Sequence, residues 1–304
     1  MNDEQNQPNY DEPTYDESGE DKPKRGDREV EWQFDFANLG QSFRNLMGSL
    51  AGEAETQHDT FSAPIDRATS ANVEIKFSVG KGSIRPLAVS DMLIEAELTY
   101  VGDVHFSAEG DLRKRVKLEQ KTPRSVVEPI RQGFRALADR EDLNWDVALT
   151  PHIPLDLEIN GGVGPIDVDL TGLQLASLEI DSGVGTMDVT LPSQSAPLEA
   201  EIDGGVGQLS LVVPEGLSGM IKIDAGVGQV NISLPRSLAV QFEASTGMGS
   251  VDLPDAMIRL EGKREFMDNS GVWQTEGYEL ADRKLVIRYD GGIGSLRVRF
   301  HDAI

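Results

Sequence analysis

A chain of 304 residues with 52 Asp and Glu against 28 Lys and Arg carries a net charge of −24, so it lacks the basic footprint that nucleic-acid phosphates demand. The same charge leaves peripheral contact with an anionic membrane without electrostatic support. There is no cysteine, hence no disulfide and no thiolate chemistry. No apolar run reaches the length of a membrane span and the first residues lack a signal-peptide core, so a cytoplasmic location is expected, with an envelope-associated one as the alternative.

Residues 1–33 form an acidic tail. From Met1 to Val30 there are ten Asp or Glu, four Lys or Arg and almost nothing apolar. Disorder is expected there, because too little can be buried to offset the entropy of ordering. Residues 34–55 change pattern. Phe36, Leu39, Phe43, Leu46 and Leu50 step by three and four, which is one stripe of an amphipathic helix. Its polar face shows Asn38, Gln41, Arg44, Asn45 and Ser49, with one cation, whereas a membrane-surface helix carries many. The stripe is therefore expected to pack on the protein's own core or on another copy. Residues 56–71, with Pro64, read as a linker.

Strand character begins at residue 72. Val73, Ile75 and Phe77 alternate before Gly80-Lys81-Gly82 and Ile84, and further strand-like runs follow to residue 122. Residues 123–142 read as a helical insertion on the spacing of Val126, Ile130, Phe134 and Leu137. From Arg113 to Arg140 there are nine Lys or Arg and three Asp or Glu. Arg113, Lys114, Arg115, Arg131 and Arg135 are candidates for docking an acidic partner, set against the plainer reading of a solvated face.

Residues 143–254 repeat themselves. A short alternating run ends in Asn or Asp, a Gly-x-Gly follows, and a second alternating run usually closes with Pro. The glycine pairs are Gly162 and Gly164, Gly183 and Gly185, Gly205 and Gly207, Gly226 and Gly228, and Gly247 and Gly249. A further copy, Gly292 and Gly294, follows a degenerate coil within residues 255–304. A period of about 21 residues marks a repeat architecture in which each unit buries its apolar face against its neighbours. Two strands and a corner per period fit an all-β single β-solenoid, with an antiparallel hairpin array as the rival. Ile159, Ile180, Ile202, Ile223, Ala244 and Tyr289 form one expected inward column. Ile166, Met187, Leu209, Val230, Val251 and Leu296 form another. Val163, Val184, Val206, Val227, Met248 and Ile293, between the glycines, are also expected inward. Leu173, Leu217 and Leu238 supply a third side. The last strand, ending at Phe300, is expected to be an open end of the stack, to be covered by the Phe36 to Leu50 stripe.

Catalytic signals are weak. The Gly-x-Gly turns lead into strands, not into the helix N-terminus that a nucleotide loop requires. Asp167, Asp188, Ser210, Asn231 and Asp252 form an outward column that invites calcium, but a hard-ion site needs about six converging oxygens. Glu158, Glu179, Glu201 and Glu243 make a second outward column, and paired carboxylates on a β-helix can cleave glycosides. Such columns arise automatically in any repeat. No metal, cofactor or catalytic residue is assigned.

The Gly-Val-Gly repeat ending in Leu-Pro resembles the bacterial toast-rack β-solenoids, including the C-terminal domain of LiaF-type cell-wall-antibiotic response proteins and the adhesin-like solenoids. Leu143 to Pro151, then Ile153 to Leu157, resembles the lead-in to that repeat, and Val73 to Glu119 resembles the toast-rack N-terminal part. The resemblance spans about Asn72 to Phe300. It implies a regulatory or envelope-associated binding role without catalysis. The expected function is thus a non-enzymatic scaffold with protein partners or self-association, linked to envelope stress. A bactofilin-like polymer and a carbohydrate-active enzyme are the alternatives.

Overall fold

The computed structural model describes residues 56–88, 90–121, 143–261, 264–265 and 268–301. The expected tail, the helix with Phe36, Leu39, Phe43, Leu46 and Leu50, and the helical insertion with Arg131 and Arg135 lie outside the described residues. In chain order the strands are β1 (Thr56–Pro64), β2 (Ser70–Val79), β3 (Lys81–Pro86), β4 (Met92–Val101), β5 (Asp103–Glu109), β6 (Arg113–Lys121), β7 (Asn144–Leu149), β8 (Leu155–Val163) and β9 (Ile166–Asp169). They continue as β10 (Leu175–Thr190), β11 (Leu198–Val212), β12 (Gly219–Pro235), β13 (Val240–Asp252), β14 (Ile258–Glu261), β15 (Arg264–Glu265), β16 (Asp268–Asn269), β17 (Gly271–Gln274) and β18 (Leu285–His301). One 3-10 turn, Tyr278–Leu280, precedes β18.

These strands build a stack of coils, because equivalent residues of successive coils pair in parallel register. Ile180 lies beside Ile202, and Ile202 beside Ile223. The long strands β10, β11, β12, β18 and β13 run through the Gly-x-Gly corner without a break, so each coil's two sides belong to one strand. The hairpin array is thereby ruled out, since these neighbours are parallel. On one side of the stack, β8 carries the sheet on to β2 and then β6 and β5; on the other, β9 carries it on to β3, β7, β4 and β1. The early strands β2 and β3 are thus a true coil stacked directly under β8 and β9. Leu173, Leu217 and Leu238 are buried on the loop side, as the third inward column requires.

Inside, aliphatic columns run the length of the stack. Ile75, Ile159, Ile180, Ile202, Ile223, Tyr289 and Ala244 form one, all buried. Volume is balanced along it, with Ala244 beside the bulky Tyr289. A side chain at Gly291 would collide with the Tyr289 hydroxyl, at 2.2 Å. Similarly, the Phe77 ring occupies the space that a Cβ on Gly82 would need, at 2.5 Å, and stacks on the buried Trp145 at 5.5 Å. Close-packed interiors hold few voids, so such large–small exchanges are the rule.

The structure departs from the sequence reading at three places. The expected linker at 56–71 holds β1, which pairs with β4 over its whole length. Its side chains are mostly exposed, so no apolar alternation announces it; backbone pairing and the Phe61–Phe106 ring contact, 5.3 Å between centroids, hold it. The last strand is not the end of the stack, because β18 lies between β12 and β13. Beyond β13 the sheet continues with β17 and β14, both paired antiparallel.

Candidate binding surface

The corner has its own geometry. Ile180 and Met187 are both buried, yet they are seven residues apart. Strict alternation would put residues an odd distance apart on opposite faces, so the strand must change phase between them. It does so at the glycines, where the ladder skips one residue: Ser182 faces Gly204 and Val184 faces Val206. Small residues line the inside of the bend. The outside is the residue between the glycines.

The twelve glycines named from the sequence therefore sit at stacked bends, ten of them within the continuous strands β10, β11, β12, β13 and β18, while Gly162 lies at the end of β8 and Gly164 in the break before β9. A Cβ on Gly207 would lie 1.8 Å from the Gly185 carbonyl oxygen, and one on Gly183 2.4 Å from that of Gly162. Backbone meets backbone from coil to coil, which only glycine permits.

The change of phase turns the central column outward, and this corrects the expectation that it is buried. Val206, Val227, Ile293 and Met248 are 42%, 39%, 38% and 51% exposed. They lie on consecutive coils, β11, β12, β18 and β13. At a strand spacing of about 4.8 Å they make a continuous apolar ridge roughly 15 Å long. Towards β8 the ridge sinks, with Val163 and Val184 only half-exposed.

An acidic ladder runs alongside. Asp181, Asp203, Asp224 and Asp290 are exposed and in register, flanked by Asn160 and Ser245. Among the described residues no cation is paired with any of the four. Burial, followed by the charges of Asp224, Asp181 and Glu201, pushes the Asp203 carboxyl above its usual range. Like charges directly opposed in a sheet are destabilising.

The glutamate column next to it is neutralised in part. Lys76 bridges Glu74 at 2.8 Å and Glu158 at 2.9 Å. Burial would raise the Glu74 carboxyl, but hydrogen bonds from Lys76 and Lys117 outweigh it and hold the group below its usual range. Further along, Lys222 approaches Glu201 at 3.9 Å and Arg288 Nε donates to Glu243 at 2.9 Å. An open cleft of about 550 Å³ lies at this end, lined in part by Lys222, Asp224, Glu243, Val272, Arg288 and Asp290.

The column considered for calcium is altered by the strand order. Arg297 stands between Asn231 and Asp252. Asp252 is held by Arg299 at 2.6 Å and Arg297 at 3.7 Å, and the Arg299 contact keeps its carboxyl below the usual range. Among the described residues no three His, Cys, Asp or Glu converge as they would on a metal ion.

Of the described cations proposed for docking, Arg113 and Arg115 are exposed. Lys114 is not available: alternation in β6 points it inward, where Nζ donates to the Pro64 carbonyl at 2.6 Å and pairs with Asp66 at 2.5 Å. Sequence reasoning missed the ridge, although the odd spacing signalled it. Val184 is four residues from Ile180 and three from Met187, so alternation carried from one side puts it in and from the other puts it out.

No helix among the described residues is long and apolar enough to cross a membrane. No curated protein matches the chain. In fold it is similar to a candidate cell adhesion protein from Clostridium sporogenes ATCC 15579, with a TM-score of 0.55 and 16% identity over 81% of this chain and all of that one. A candidate adhesin from Bacteroides fragilis NCTC 9343 aligns with a TM-score of 0.27 and 10% identity over 81% of this chain and 97% of that one. Residues 52–212, more than half of the chain, match the N-terminal domain of toast_rack, DUF2154. The match ends at the last residue of β11, after four coils counted from β2 and β3, and the later coils repeat their register. The chain is a member of the toast-rack family.

Proposed function

We propose that the protein is a non-catalytic binding scaffold whose docking surface is the corner ridge and the acidic ladder beside it. The observation that carries this reading is the alignment of Val206, Val227, Ile293 and Met248, exposed apolar side chains on four consecutive coils. Scattered exposed apolar residues are ordinary, whereas a contiguous line of them rimmed by charge marks an interaction surface. The aspartates select for a partner that brings cations. At this ridge a second copy would present the same acidic face, like charge against like. The likeness in fold to a candidate cell adhesion protein accords with a binding role. We read that role, on the toast-rack resemblance, as one at the cell envelope in a stress response.

The test uses the full chain and a variant carrying Val206→Ser, Val227→Ser and Ile293→Ser, checked to melt alike. Immobilised wild type is expected to retain a basic partner from the host's envelope fraction, and the variant to lose it. Equal retention by both would remove the ridge from the account. Release of reducing sugar from envelope polysaccharide, abolished by Glu179→Gln, would replace the scaffold reading with the enzyme one. Filaments growing with concentration would replace it with the polymer reading.

A further inference from the structure

β12 and β13 are consecutive in the chain, separated by residues 236–239, yet β18 lies between them and is parallel to both. Both flanking strands meet β18 in one register. Ile221 and Phe242 face Ile287, and Val230 and Val251 face Leu296. Residues 221 and 242 differ by 21, the same offset that pairs Leu198 with Gly219 across β11 and β12. The flanking strands are therefore already matched to each other. Were β18 withdrawn, β13 would meet β12 with Lys222 opposite Glu243 and Asp224 opposite Ser245. With β18 in place, Lys222 meets Arg288 and Asp224 meets Asp290, like charge on like. The arginines of β18 find their acids on the other side: Arg288 on Glu243, and Arg297 and Arg299 on Asp252.

We propose that β18 is an exchangeable strand, and that the slot between β12 and β13 is a docking site for β18 of a second copy of this chain. Withdrawing a central strand ordinarily exposes two bare sheet edges. Here β13 can close on β12 in the register the repeat period sets, so the open intermediate heals itself. In the exchanged dimer every β18 contact re-forms between copies, as in domain swapping. The hinge is residues 275–284, between β17 and β18, which can span about 33 Å when extended. The hairpin of β17 and β14 stays on β13. The arginine contacts to β13 act as the latch. The site is distinct from the corner ridge and does not depend on the scaffold reading.

The chain has no cysteine, so two full-length single-cysteine variants give a clean test. Met220 and Val286 are register partners, half-buried on the outer face, and the spacing of about 4.8 Å between parallel neighbours suits a disulfide. Met220→Cys and Val286→Cys proteins are mixed, incubated at rising concentration and then oxidised. Exchange predicts a disulfide-linked heterodimer that grows with incubation and concentration and exceeds both homodimers severalfold. Heterodimer no more abundant than the homodimers formed by collision would overturn the proposal. Should either variant fail to fold, Gln241→Cys with Val286→Cys asks the same question from the β13 side. Asp252→Asn, which loosens the latch, is expected to speed heterodimer formation by about two- to fivefold; slower formation would count against the latch and the slot together.

Discussion

From β8 to β12 the coils stack in the order in which they occur in the chain; beyond β12 they do not. The first region shows the repeat acting alone. Its in-register columns put isoleucine on isoleucine inside and aspartate on aspartate outside, because each coil copies the last. In the second region β18 is threaded between two coils of that same register, and three of its outward residues, Arg288, Arg297 and Arg299, match acids on β13. The period thus sets how coils align, while the charges on a strand's outer face help to decide which coil it lies beside. The ionic contribution of each exposed pair is small, so the buried columns must carry the stack and the charges can only choose among stacks of similar packing.

The sharpest break of this comparison is at the phase change. Ile202→Asp places an unpaired charge in a column with no solvent access, at a cost of several kcal/mol against a typical stability of about 5–15. Loss of the cooperative β transition in circular dichroism is expected. Val206→Asp, four residues away, is expected to keep that transition, shifted by a few degrees. If Val206→Asp unfolds the protein as Ile202→Asp does, the ridge is buried and the bend is wrongly placed.

The glycine stack comes next. Gly207→Ala drives a methyl group into the Gly185 carbonyl oxygen of the neighbouring coil, and a loss of about 2–4 kcal/mol is expected in denaturant unfolding. Gly216→Ala, at φ +68° with open space around it, is expected to lose about 1 kcal/mol from backbone conformation alone. Equal losses would mean that conformation, not close approach between coils, selects the corner glycines.

The smallest effects separate the two kinds of charge column. Asp203 titrates above its ordinary 3.8 in the folded state. The folded protein therefore binds that proton before the unfolded chain does, and ionised Asp203 is destabilising at neutral pH, relieved as pH falls through the raised value. Asp252 titrates below 3.8. It stabilises above the unfolded value and loses that contribution as pH falls through the lowered one. At pH 7, Asp203→Asn should raise Tm by about 1–3 °C and Asp252→Asn should lower it by a similar amount. Near pH 4 the Asp203→Asn gain should shrink first, while the Asp252→Asn loss persists. Thermal melts across that range check both signs.

Much of this was legible in the chain. The fixed spacing of the glycines gives the parallel register, and the pairs Ile180 and Ile202, and Val189 and Leu211, stand side by side as their columns require. Even the looser Val73, Ile75 and Phe77 run stacks as a coil, on β8. The insertion of β18 was not legible, because Gly247 follows Gly226 at the ordinary period and nothing local says that another strand lies between them. β1 was hidden for a different reason. Its side chains are mostly solvated, and a strand held by backbone pairing leaves little hydrophobic pattern. On the candidate surface, the Asn or Asp that ends each first run was visible, though not as an acidic ladder, and the ridge beside it depended on a bend whose direction alternation leaves ambiguous.

The strand order can be tested directly by brief oxidation of dilute double-cysteine proteins. Residues 220, 286 and 241 lie in a row across β12, β18 and β13. Neighbours in that row are about 4.8 Å apart and its ends about 10 Å apart, beyond the reach of a disulfide. With β18 between β12 and β13, rapid linkage is expected for Met220→Cys with Val286→Cys and for Val286→Cys with Gln241→Cys, while Met220→Cys with Gln241→Cys stays reduced. Rapid linkage of residues 220 and 241, with 286 left free, would put β13 directly on β12 and contradict the inserted strand.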